Sequence, residues 1–191
     1  MAKHSIQIAC DCGAFQATLT GLPNNSPGRV ACYCKDCQRY LTKLGRTDRL
    51  DDFGGTELVP VYPSEMNILK GEEHLKCNKL SSKGLHRWSV TCCNSPIANT
   101  RRKFPWVGLI HSVFTSVDEN TLNNLGDVKG RIFGRDAKPG APFDIADKVG
   151  FKETLLVAPF ILKGKLGKKH IPSPFYKNDY VTPIVKPTVL E

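Results

Sequence analysis

Eight cysteines, all between Cys10 and Cys93 and none in the last half of the chain, constrain this sequence more than any other feature. Their chemistry depends on the compartment. No stretch approaches the roughly 18 apolar residues a membrane helix needs, and Met1-Ala2-Lys3-His4-Ser5 has no apolar leader segment. The expectation is a cytoplasmic protein with no membrane partner. In a reducing cytosol, clustered thiols hold metal or do chemistry rather than pair as disulfides.

The spacing favours metal. Cys10-Asp11-Cys12 puts two thiols two residues apart, so on extended backbone both face one side and can reach one ion. Cys32-Tyr33-Cys34-Lys35-Asp36-Cys37 adds a C-x-C to a C-x-x-C, the spacing that lets sulfurs converge on zinc. Cys92-Cys93 follows much later and Cys77 stands alone. Counting allows a closed four-thiolate site and an open three-thiolate site with one thiol left over; the open site would be the reactive one. Soft thiolates select zinc, cuprous copper or iron–sulfur, and this spacing matches none of the common ferredoxin runs, so zinc is preferred.

At 191 residues the chain is one domain, or one domain with an appended subdomain, and 40% apolar with 24% charged residues is ordinary globular usage. Ser5 to Cys10 and Phe15 to Leu19 alternate polar and apolar and predict a hairpin with thiols at its turn. Strands are predicted at 29–34, 56–62, 66–69, 75–80, 85–91 and 107–113, with a helix from Lys35 to Leu44 stopped by Gly45. That pattern is mostly β. Beyond it come a short capped helix at 118–125, a strand at 129–135, and an apolar helical rhythm from Phe151 to Leu166, expected to kink or break at Pro159. A tail bearing Pro172, Pro174, Pro183 and Pro187 should be extended and draped over the body. The thiols assign metal chemistry to residues 1–115, with 116–191 as a C-terminal extension packed on them.

Cys10-x-Cys12-Gly13, Cys32-x-Cys34-x-x-Cys37 and the Arg87-Trp88 strand leading to Cys93, in this order, resemble the glutathione-dependent formaldehyde-activating (GFA, centromere-protein-V/GFA domain) family over residues 5–115. The run from Gly84 to Thr100 is similar to a bacterial branch of that superfamily other than its enzymatic type. The resemblance implies a β-tent, small antiparallel sheets leaning together around a structural zinc. It implies Cys10 and Cys12 as the first pair of structural ligands, and Cys32, Cys34 and Cys37 as ligands of a second, catalytic zinc acting on glutathione–aldehyde adducts. The last motif departs from the family's C-x-x-C-G: with Cys93 aligned to its second cysteine, Val90 stands at the first and Asn94 at the glycine. Two completions of the closed site stay open. Cys92 joins Cys93 if the backbone turns at Asn94-Ser95-Pro96, or a single merged zinc takes its fourth thiolate from the Cys32–Cys37 cluster.

The functional expectation is a carbon–sulfur lyase of the GFA type, with Cys32, Cys34 and Cys37 as catalytic residues and glutathione or a similar anionic thiol as substrate. A formal net charge of +9 suits an anionic substrate. The competing class is a non-catalytic zinc-stabilised module whose basic extension, around Lys163, Lys165, Lys168 and Lys169, binds a partner. No helix-turn-helix, RNA-binding aromatic pair or finger histidine supports a nucleic-acid partner. His86 and His111 read as satisfied strand histidines, Cys77 as a buried small hydrophobe, and Arg87, Arg101 and Arg102 either as carboxylate grips or as a solvated basic face.

Overall fold

The computed structural model describes residues 5–190. Met1–His4, where the leader was sought, and Glu191 lie outside the described residues. In chain order the strands are β1 (Ser5–Ala9), β2 (Gln16–Thr20), β3 (Arg29–Cys32), β4 (Thr56–Val61), β5 (Met66–Lys70), β6 (Leu75–Lys79), β7 (His86–Val90), β8 (Pro96–Thr100), β9 (Val107–Ile110), β10 (Val128–Ile132) and β11 (Thr188–Val189). The helices are α1 (Lys35–Lys43), α2 (Ser112–Thr115), α3 (Glu119–Asn123) and α4 (Phe151–Leu166).

The strands make two sheets, one ordered β1-β2-β5 and one ordered β10-β3-β4-β9-β8-β7-β6-β11. The first is wholly antiparallel. The second is antiparallel except at its margins, where β10 lies parallel to β3 and β11 parallel to β6. The chemical division at residue 115 is therefore not a division of the sheet: the extension supplies both edge strands. Phe15, Leu19, Trp88, Val90, Ile97, Leu109 and Phe114 pack into one core, and removing their apolar area from water supplies the main stabilisation. Phe175 and Tyr176 of the tail join that core, with Phe175 against the Trp88 ring at 4.8 Å between centroids. The tail is thus anchored by two aromatic side chains.

Three local expectations change. Pro96–Thr100, outside the predicted strands, forms β8; all five residues are buried, and a strand covered on both faces loses its polar period. The proline sits at its first position, where a missing N–H breaks no ladder. The strand expected at 107–113 ends at Ile110, because His111 turns into helical backbone and starts α2.

Of the kink or break expected at Pro159, the break does not occur: α4 runs continuously through it. Proline leaves the Leu155 carbonyl without an intrahelical donor, but Leu155 is exposed, so water can reach that turn. Next to it the helix is clamped. The Phe160 ring stacks on Tyr62 at 4.2 Å, the Tyr62 hydroxyl donates to the Phe160 carbonyl at 2.7 Å, and Gly164 brings the helix backbone against Tyr62 and Pro105.

Candidate metal centre

Two turns facing each other build the first thiol cluster. After β1, Gly13 N donates to the Cys10 carbonyl at 2.9 Å and Cys10 N to the Phe15 carbonyl at 3.1 Å, so the chain doubles back with Cys10 and Cys12 projecting together. Gly13 takes a φ of +73°, which a residue without Cβ adopts freely. Between β7 and β8, Val90 N donates to the Ser95 carbonyl at 3.1 Å, and Asn94 is left-handed at φ 54°. That turn takes Cys92 and Cys93 out of strand alternation and lets adjacent residues face one centre.

Asp11 N donates to Ser95 Oγ at 3.0 Å and holds the two turns in register. The Asp11 carboxylate is in turn held by Arg46 at 2.5 Å, Arg49 at 2.8 Å and the Ser116 hydroxyl at 2.9 Å. Despite burial, which alone would raise it, these donors hold its carboxyl below the ordinary range.

Cys10, Cys12, Cys92 and Cys93 bring their sulfurs within 4.8 Å of one another. The Cys10–Cys12, Cys10–Cys92, Cys12–Cys92 and Cys92–Cys93 separations are 3.6, 3.8, 3.4 and 3.8 Å. Sulfurs at tetrahedral corners about 2.3 Å from a zinc ion stand about 3.8 Å apart, so the donor set fits one ion. All eight cysteines are free thiols, far from the S–S distance of a cystine. Burial drives the Cys10 and Cys92 thiols up. For Cys93 burial is outweighed by donors from Ser95 and from backbone, which bring it down to about 6.

The second cluster sits where β3 runs into α1. Cys32, Cys34 and Cys37 lie within 4.8 Å of one another, with Cys32 at 3.4 Å from Cys34 and 3.6 Å from Cys37. Cys34 caps α1: its sulfur accepts from Cys37 N at 3.4 Å, so the positive end of a helix faces the trio. Hydrogen bonds from the Cys32 and Cys37 thiols, with that backbone donor and the Arg87 charge, favour the Cys34 thiolate, while the hydrogen bonds to Cys34 and Cys37, with burial, push the Cys32 thiol up. No thiol of this run joins the first group. Cys77 is in neither; burial in the core lifts its thiol to about 12.

Arg87 is the residue whose place the sequence did not reveal. It is 3% exposed, with Nη1 at 3.8 Å from Cys37 Sγ and 3.2 Å from Asn99 Oδ1, its guanidinium over the Tyr40 ring at 5.2 Å and Nη2 at 4.0 Å from Asp36. Three thiolates around a divalent cation would leave one negative charge, which the buried guanidinium stands beside. Arg101 and Arg102 are exposed.

Residues of the extension also reach this trio. β10, paired on β3, and the residue after it bring Ile132 and Phe133 against the cluster that Cys32 and Cys37 form with Leu58 and Ile110. Gln38 Nε2 clasps the Tyr33 carbonyl at 2.6 Å and the Asp136 carbonyl at 2.9 Å, tying α1 to the extension. Cys34, Lys35, Asp36, Phe133, Arg135 and Asp136 line a cleft of about 680 Å³. Of the trio, Cys34 is the thiol that meets this cleft; Cys32 and Cys37 are buried. No sequence signal pointed to Phe133 or Asp136, which meet the site only through strand pairing.

A family model described as a family of unknown function, DUF6151, matches residues 1–185. The chain belongs to the DUF6151 family. No curated protein matches it. Among solved structures, a Rhodobacter sphaeroides protein determined as a structural-genomics target is 20% identical, with a TM-score of 0.45, over 64% of this chain and 97% of its own. Among the described residues of this DUF6151 chain, no helix is long and apolar enough to cross a membrane.

Proposed function

We propose that this DUF6151 protein is a zinc-binding, GFA-like β-tent protein of a reducing compartment such as the cytoplasm, with a structural zinc on Cys10, Cys12, Cys92 and Cys93 and a reactive zinc on Cys32, Cys34 and Cys37. The observation that carries the reading is the difference between the two clusters. Four thiols complete one donor set, whereas the second group has three, with a helix N-terminus and a buried Arg87 beside them, and its Cys34 meets an open cleft. A three-thiolate set leaves a position for substrate.

Cys32, Cys34 and Cys37 would hold a zinc ion, which when bound would supply Lewis-acid activation of a thiol adduct, the chemistry of a carbon–sulfur lyase. The chain's own groups do the rest. Arg87 balances the excess charge of the thiolates, and Asn99 and Asp36 hold its guanidinium. Asp36 and Asp136 line the cleft with Lys35 and Arg135, and Lys35 lies 3.9 Å from Asp136, so Arg135 is the cation left to meet an anionic thiol such as glutathione. Phe133, in the wall of the same cleft, packs against the thiol cluster and limits water around it.

One observation favours the second reading, a non-catalytic zinc-stabilised module. α4 exposes Phe151, Leu155, Leu162 and Leu166 beside Lys152, Lys163 and Lys165, an apolar and basic face suited to a partner.

Metal analysis separates the two. Two zinc equivalents per chain, one exchangeable, with thiol-adduct activity lost in Cys34→Ser while the fold persists, support the lyase. One inert equivalent and no such activity support the module.

A further inference from the structure

A second cleft, of about 620 Å³, opens beside the ends of β6, β7 and β8. Four cationic side chains line it, Lys79, Lys83, Arg101 and Arg102, against a single carboxylate, Asp36. None of the four is in an ion pair among the described residues. Lys79 Nζ donates only to the Ser82 carbonyl, and Arg101 lies over the Phe104 ring. Cations gathered without counter-charge repel one another, and the cleft concentrates anions.

A directional group accompanies them. His86, also in the wall of the cleft, is 3% exposed, and its Nε2 is buried without a partner. Its Nδ1 is 2.7 Å from the Tyr176 hydroxyl, which is 2.9 Å from Thr100 Oγ1, which accepts from Trp88 Nε1 at 2.8 Å. Indole N–H is a donor only. If Thr100 donates onward to Tyr176 and Tyr176 to His86 Nδ1, every hydroxyl hydrogen in the chain is used once. The reverse order strands the Thr100 hydrogen as well as a ring nitrogen. The relay therefore fixes the tautomer with hydrogen on Nε2. Burial, and then the nearby Arg102 and Lys79 charges, hold this ring down to about 4, so it is neutral at pH 7 with that one N–H.

A buried donor without an acceptor, in the wall of a cleft rich in cations, calls for an acceptor that is negative. We propose that this cleft binds an oxyanion group of a small molecule, phosphoryl or carboxylate, with His86 Nε2–H as the orienting donor and Arg101, Arg102, Lys79 and Lys83 as its counter-charge. The cleft shares Asp36 with the one beside the trio but is lined by none of the thiols.

The test uses the full chain with ¹⁵N-labelled histidine, titrated with inorganic phosphate and separately with succinate at constant ionic strength. The free protein should show the Nε2–H tautomer of His86, its signal assigned by its loss in His86→Gln. Saturation with at least one probe should move that signal. Arg101→Ala/Arg102→Ala, at two exposed positions, should fold normally and bind at least tenfold more weakly. A response to phosphate alone identifies a phosphoryl ligand, and one to succinate alone a carboxylate. A His86 hydrogen on Nδ1, a signal unmoved by both probes, or unchanged affinity in the double arginine variant overturns the proposal.

Discussion

Replacing Arg87 by methionine tests the charge balance of the three-thiol site. The guanidinium stands 3.8 Å from Cys37 Sγ, and two opposite charges at that separation attract by about 4 kcal/mol at an effective dielectric of about 20. Methionine fills much of the volume and removes the charge. Relaxation recovers part of the loss, and outer-shell substitutions commonly cost about 10–100-fold in metal affinity. A decrease of that size is expected at the trio alone. The same change leaves the buried Asn99 oxygen without its donor, a cost of about 1–3 kcal/mol in stability. For a domain of this size that lowers the melting temperature by about 2–4 °C per kcal/mol. Arg87→Lys keeps the charge without the fork and should fall between. Chelator competition on protein reconstituted with two equivalents of zinc reads the result: one equivalent should leave at about 10–100-fold lower chelator concentration, the other unchanged. Unaltered release of both ions from a folded Arg87→Met protein would refute the argument.

With zinc in the four-thiol cluster as proposed, chelation should unfold that end of the sheets, since a structural zinc contributes an apparent ~10–16 kcal/mol against a net domain stability of about 5–15 kcal/mol; loss of the near- and far-ultraviolet circular dichroism on chelation, restored by zinc, checks this. His86 is held down to about 4 by burial and by Arg102 and Lys79, so between about pH 6.5 and 4 the unfolded chain binds the extra proton. Stability should fall as pH is lowered through that window, and the loss of melting temperature from pH 7 to pH 5 should be larger in the natural chain than in His86→Gln. Gly164→Ala adds a Cβ 2.6 Å from the Tyr62 ring and 2.7 Å from Pro105. The overpacking cost of about 1–3 kcal/mol exceeds the ~1 kcal/mol gained in helix propensity, so α4 should loosen and become the first site of limited proteolysis.

Much of the strand and helix pattern was legible because it is local. The Ser5–Cys10 alternation, the helix that Gly45 stops and the capping Asp118 each act within a few residues. Pro159 misled for the opposite reason. A local rule breaks the helix there, but the Tyr62 stack and hydrogen bond, from 98 residues away, hold it whole.

The same divide runs through the metal centre. Cys10-x-Cys12 and Cys32-x-Cys34-x-x-Cys37 were readable because two or three residues of backbone fix where neighbouring sulfurs point. Spacing could not say that Cys92 and Cys93 complete the first set and not the second, since a turn closed by Val90 and Ser95 and pinned to Asp11 aims both at one centre. Nor could it bury Arg87 against Cys37, 50 residues apart, or bring Phe133 and Asp136 to α1. Those meetings follow from which strands pair and in what register. That depends on the burial of whole sheet faces, which no short window of sequence contains.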